Sequence, residues 1–233
     1  MRPFGTVLLS VCAAVLVGFS SNADRREIQS GYFEPIRQIG VYLDGFHVMK
    51  EAPNLFLEAH HYCAPKSDDM LQCAIFDGNG SDANLVGIEY VISERLFDRL
   101  PADEKKLWHP HDYEILGGQL IAPGMHESEE KALLKKWINS YGKTWHVWNT
   151  GYFDQPHGDS VPLGVPMLAW SFNADGEAPV QMVSDRDERF GISTEERRKD
   201  RQDLRSLAQP QEGVNDLAPS FPERHVPDFV KAK

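Results

Sequence analysis

The chain lacks the short motifs that would commit it to a common catalytic class. Its 233 residues contain no Gly-x-Ser-x-Gly elbow, no Gly-x-x-x-x-Gly-Lys phosphate loop and no His-Glu-x-x-His pair, so serine-hydrolase, P-loop and zincin chemistries have no sequence support. Positive charge is also scarce: 24 Lys and Arg stand against 35 Asp and Glu, a net charge of -11. With no Lys/Arg run among aromatics, nucleic acid and anionic bilayer surfaces are excluded as nonspecific partners. Cysteine is rare, at three residues, and no internal repeat is evident. Beyond the first 23 residues no apolar stretch approaches the roughly 18 residues of a spanning helix, so the mature chain is expected to have no transmembrane helix. The apolar share of 41% and charged share of 25% are those of an ordinary globular protein.

What is present begins with "MRPFGTVLLSVCAAVLVGFSSNA", where Arg2 precedes an apolar run from Val7 to Phe19 and small residues surround Ala23. This pattern predicts a secretory signal peptide over residues 1–23, hence a periplasmic or secreted protein starting near Asp24. Cys12 lies within the apolar run and is a poor match to a lipoprotein attachment site. Its removal leaves Cys63 and Cys73, an even pair in an oxidising compartment. The residues between them, "APKSDDMLQ", are polar and turn-rich, so approach is easy. Two readings stand, a disulfide or two reduced thiols packed as small hydrophobes; the expectation is that the exported chain joins them.

Period-two alternation predicts strands over "NLFLEAHHYC" and "LVGIEYVIS". Ser93 is placed to cap a short helix to Leu100, and Pro101 opens another helical turn through "PADEKKLW". "HDYEILGGQLIAP" reads as a strand bent at Gly117 and Gly118. Residues 127–140 have helical spacing, and "KTWHVWNT" and "VPMLAWSF" close the domain as strands. Strands and helices mix without a βαβα rhythm, which predicts an α+β fold: a mainly antiparallel sheet with helices packed on one side. From about Ala174 the chain becomes charge-dense, with 13 acidic and 10 basic residues. The organisation expected is a signal peptide (1–23), an N-terminal segment (24–37), a single domain (38–173) and a charged, partly helical extension (174–233) with a helix near 194–207.

The runs "LEAHHYC", "QCAIFD", "LVGIEYVIS", "LWHPHDYEILGGQLIAP", "YGKTWHVWNT" and "PLGVPMLAWSF", in that order, resemble the oil-body-associated protein family over about residues 38–173. The resemblance implies a domain of unknown biochemical function, with plant relatives on oil bodies and no assigned catalytic residue. The exported start and charged tail depart from the plant pattern.

The residues that can carry chemistry fall in these same runs. His109 and His111, at i and i+2, project from one face of an extended chain, as two ligands of one metal require. His60, His61 and His146 lie on other predicted strands. Glu89 sits among Ile88, Tyr90 and Val91, where a carboxylate needs a partner or a cation, and Glu114 follows the histidine pair. Imidazoles with a carboxylate suit a divalent transition metal rather than calcium. The expected site is therefore a shared pocket of His109 and His111 with one or more of His60, His61 and His146, bordered by Glu89 or Glu114, whose metal affinity falls through the imidazole pKa near about 6.5. The alternative is a closed hydrogen-bonded network. A cupin-like reading would use His109, His111, Glu114 and His146, although the spacing from His111 to Glu114 is too short for that motif. As to function, binding of a metal ion or small ligand is the first expectation, and a peripheral lipid-surface or envelope interaction protein is the competing one.

Overall fold

The computed structural model describes residues 33–148, 152–153 and 163–233. The expected signal peptide, most of the 24–37 segment and the end of the strand expected over 143–150 lie outside the described residues. The chain divides between Arg37 and Gln38. On the N-terminal side is a short helix, α1 (Glu34–Arg37); the following concerns residues 38–233.

Among the described residues seven strands organise this unit: β1 (Val41–Met49), β2 (Ala52–Ser67), β3 (Met70–Phe76), β4 (Leu85–Ile92), β5 (His109–Pro110), β6 (Tyr141–His146) and β7 (Met167–Ser171). β1 to β4 form an antiparallel meander. β4 then pairs with β6, β6 with β7, and β7 returns to β1, each pair antiparallel. Six strands thus close into a barrel, and β5 pairs with the start of β6. The mainly antiparallel sheet with helices is as expected. Closure makes it more specific, because the helices cover a barrel rather than one side of an open sheet.

Register decides which side chains look inward, since directly paired residues share a face and neighbours in one strand alternate. Leu43 pairs with His61, His61 with Ile75, Cys63 with Cys73, Cys73 with Glu89, and Glu89 with Thr144. His47 pairs with Ser171, and Gly87 with His146. These define the interior. On the outer face Asp44 pairs with His60 and Phe46 with Glu58. Cys63 and Cys73 are joined in a disulfide across β2 and β3.

Short helices connect and cover the barrel: α2 (Glu94–Phe97), α3 (Ala102–Lys105), α4 (Asp112–Leu116), α5 (Glu127–Trp137), α6 (Val180–Phe190) and α7 (Thr194–Asp200). α5 carries acidic residues in its first turn and lysines in its last, favourable to the helix dipole. Its Leu134 and Trp137 pack with Leu43, Leu71 and Val91 at one end of the barrel. At the other end Met49, Leu57, Ile75 and Ala169 cluster with Tyr152.

Two expectations are corrected. The strand read over 111–123 is instead α4 followed by a turn. All five α4 residues are buried, so no polar face marks the helical period, and Gly118 ends the turn with φ +82° and no room for a Cβ, whose nearest atom would be Thr194 O at 2.2 Å. β1 and β3 were not anticipated as strands; β1 is buried on both faces over Leu43–Met49, which erases its alternation. Residues 174–233, expected as a charged and partly helical extension, cluster in the same compact unit as the barrel. Their apolar anchors are few but well used: Leu204, Val214, Leu217, Phe229 and Val230 join the main core. The helix expected over 194–207 changes to a 3-10 helix at Gln202–Leu207.

Candidate metal centre

Glu89 stands at the middle of the barrel, 3% exposed, with imidazoles around its carboxylate. His61 Nε2 lies 3.0 Å from Oε2, and His109 and His111 Nε2 lie 3.4 and 3.5 Å from Oε1. His109 and His111 approach each other to 3.2 Å between their Nε2 atoms. His47 continues the cluster, its Nε2 3.3 Å from His61 Nε2 and its Nδ1 3.0 Å from His146 Nε2. Every one of these side chains is buried.

One atom of each of His47, Glu89 and His109 falls within a span of 4.8 Å, close enough to ligate one ion. His111 is oriented from behind. The Ser140 hydroxyl donates to Trp137 O at 2.6 Å and so accepts from His111 Nδ1 at 2.8 Å. That hydrogen bond puts a proton on Nδ1 and turns Nε2 toward Glu89, the usual arrangement behind a metal-binding imidazole. Glu89 Oε1 and the Nδ1 atoms of His61, His109 and His146 have no hydrogen-bond partner among the described residues; Oε1 is near two imidazoles without the alignment of a hydrogen bond.

Space for the cluster depends on Gly142, which β6 sets opposite His109. A Cβ there would stand 2.1 Å from Glu89 Oε1, 2.5 Å from His111 Nε2 and 2.6 Å from His109 Nε2. Three ligand-type atoms therefore converge over a backbone position without a side chain. A cavity of about 30 Å³ adjoins them, walled by His47, His61, Glu89, His111 and Glu114 and by Leu134 and Trp137 of α5. It is large enough for a water or an ion but not for an organic substrate.

Burial sets the charge states. It holds His47 well below the ordinary imidazole value, and takes His109 to about 4 and His146 to about 3. Burial alone would raise Glu89, but its histidine neighbours reverse this and hold it well below the carboxylate range. His111 is also opposed by burial, yet Glu114 and Glu89 raise it. Burial pushes Glu114 up to about 7. At neutral pH the Glu89 carboxylate thus stands beside neutral His47, His109 and His146, a donor set for a cation.

His61, His109, His111, His146, Glu89 and Glu114 are thus brought together. His109 and His111 converge differently from expectation: His109 is on β5, whereas His111 precedes α4 with φ -111° and ψ -4°. Glu114 is on α4, with Oε1 3.7 Å from His111 Nε2, rather than on a strand as a cupin-like site would have it. His60 is not in the pocket. It neighbours His61 in β2 and therefore points outward, to Asp44. His47 was missed, although the criterion that singled out Glu89, a polar residue between apolar ones, applies equally to His47 between Phe46 and Val48.

The sequence profile described as "Protein of unknown function (DUF1264)" matches residues 33–205. Among curated proteins the chain is 34% identical to oil body-associated protein 1A of Zea mays, covering 92% of this chain and 81% of that protein. It is 36% identical to oil body-associated protein 1B of Arabidopsis thaliana, covering 80% and 74%, and 42% identical to protein 2B of the same plant, covering 70% and 64%. No solved structure matches.

Proposed function

This chain belongs to the oil body-associated protein family, and on that premise we propose that its barrel is a container for one divalent transition-metal ion. The ligands are His47, Glu89 and His109, with His111 and His61 within reach. The observation that carries this reading is the convergence of Glu89 Oε1, His111 Nε2 and His109 Nε2 over the bare backbone of Gly142. A carboxylate oxygen and two imidazole nitrogens that meet at one buried point over a bare backbone form the donor set that a metal centre needs. Zinc, iron, copper or nickel fit this donor set better than calcium. The Cys63–Cys73 disulfide supports an exported site of action.

The test is elemental analysis of untagged protein refolded with zinc, iron, copper or nickel, beside a His109→Ala/His111→Ala variant. About one ion per wild-type chain is expected, with at least a tenfold loss in the variant. Near-zero metal in both would defeat the reading. Because burial holds His109 near 4, its nitrogen stays free of protons well below pH 6.5. Retention is therefore expected to persist below the pH at which an exposed histidine site fails, and to be lost as pH falls toward about 4.

The lipid-surface reading draws on the relatives' names and on Ile88 and Tyr90, which stand 50% and 39% exposed on the outer face of β4. No helix among the described residues is long and apolar enough to cross a membrane. Strong co-flotation of metal-free protein with lipid vesicles would favour that reading over the metal container.

A further inference from the structure

On the outer wall of the barrel a second group of ligand-type side chains is assembled by the same register. Asp44 on β1 is paired with His60 on β2, and Glu58 stands two residues before His60 on the same face. One donor atom from each lies within a span of 4.8 Å. Asp44 is fully buried, and Glu58 is only 14% exposed at its side chain.

Each carboxylate spends one oxygen on an arginine of α6 and turns the other toward the group. Asp44 Oδ1 accepts from Arg186 Nη1 at 2.9 Å, and Glu58 Oε2 is paired with Arg189. Asp44 Oδ2 and Glu58 Oε1 are buried and have no hydrogen-bond partner among the described residues. Their nearest nitrogens belong to one ring: His60 Nδ1 is 3.1 Å from Asp44 Oδ2, and His60 Nε2 is 3.4 Å from Glu58 Oε1. Tyr42 OH also meets Nδ1, at 2.8 Å.

A proton count shows the deficit. Neither oxygen is met by a ring nitrogen in hydrogen-bonding alignment, and a neutral ring has one N–H for two carboxylate oxygens. At least one oxygen is left facing a lone pair, a costly arrangement in a buried place. The surrounding charge agrees: Asp187 pairs with Arg186, and Asp77 acts on His60. Four carboxylates, Asp44, Glu58, Asp77 and Asp187, thus face two guanidiniums, leaving two negative charges in excess if all are ionised.

We propose that Asp44 Oδ2, Glu58 Oε1 and a His60 ring nitrogen form a second, independent site for a divalent cation of the manganese or iron(II) type. Two carboxylates and one imidazole suit these harder ions better than the histidine-rich interior does. The site lies on the outer face of the barrel beside Glu58 and the half-exposed Arg189, so an ion would not have to cross the barrel interior to reach it. The rival occupant is a proton shared between Asp44 and Glu58. Burial raises Asp44 well above the carboxylate range, and Glu58 adds to the rise.

Manganese(II) alone is the probe, titrated into full-length chain while the free-ion electron paramagnetic resonance signal is followed. Wild type, Glu58→Gln, His60→Ala and the interior variant His109→Ala/His111→Ala are compared, each checked for folding by circular dichroism. The expected result is one manganese equivalent that the interior variant retains, and that Glu58→Gln and His60→Ala each weaken by about tenfold or more. Manganese binding that is absent from folded wild type, unchanged in both outer variants, or lost only in the interior variant would overturn the proposal and leave the shared proton. None of these outcomes bears on whether the interior takes zinc.

Discussion

A single missing Cβ shapes the interior chemistry. Gly142 is replaceable by alanine as far as strand conformation is concerned, but the new methyl would meet Glu89 Oε1 and two imidazole nitrogens well inside contact distance. Gly142→Ala is therefore expected to abolish interior metal and to cost about 1–3 kcal/mol from overpacking, read from metal content and the urea midpoint. An unchanged metal content would show that the space over residue 142 is not part of the centre. The residues of this centre were largely legible from sequence, because a carboxylate or imidazole flanked by apolar neighbours needs a partner when buried. Alternation also excludes one of His60 and His61 from the interior, since neighbours in a strand cannot face the same way. What the sequence did not disclose was which of the two points inward, as that depends on the Leu43 to His61 pairing with β1.

At the scale of elements, the charged C-terminal segment is the least legible part. Its composition reads as a charged, partly helical extension, yet its arginines reach into the body. Arg201 donates to Ile115 O and Leu120 O and pairs with Glu130, while Arg186 joins Asp44, Gln119 O and Thr194. A guanidinium held by buried acceptors is indistinguishable in sequence from one in water. Strands with one exposed face, such as β4, show the alternation expected of them, whereas β1 and the buried α4 do not. Asp175 offers a test of how the segment docks: it takes a two-pronged contact from Arg198 at 2.7 and 2.9 Å and a hydrogen bond from Tyr113 OH at 2.9 Å. Burial would raise Asp175, but Arg198 and Tyr113 outweigh it and lower its pKa below the ordinary value. Such a group stabilises the fold above its unfolded pKa near about 3.9, and that contribution is lost as pH falls through the folded value. Asp175→Asn is thus expected to lower the urea midpoint at pH 7, with the gap closing below about pH 4. A gap that stays constant with pH would assign the loss to shape rather than charge.

For the molecule as a whole, the barrel and the C-terminal segment form one compact unit. A chain ending at Asn173 would take Arg186 from Asp44 and Arg201 from Glu130, and would uncover the core that Leu204, Val214, Leu217, Phe229 and Val230 complete. Residues 24–173 expressed alone are expected to show no cooperative thermal transition by circular dichroism; a sharp transition would mean that the barrel stands unaided. The cap formed by α5 over the barrel mouth has a consequence for time rather than affinity. Leu134 and Trp137 wall a cavity of about 30 Å³, and among the described residues every ligand-type side chain beside it is buried, so direct contact of an interior ion with bulk water is expected to be slight. Its escape then waits on the same rare local opening that exposes the amides of α5 to solvent. A weakly held ion would be released slowly, and the ion found inside would record the surroundings in which the chain folded rather than those in which it was later sampled.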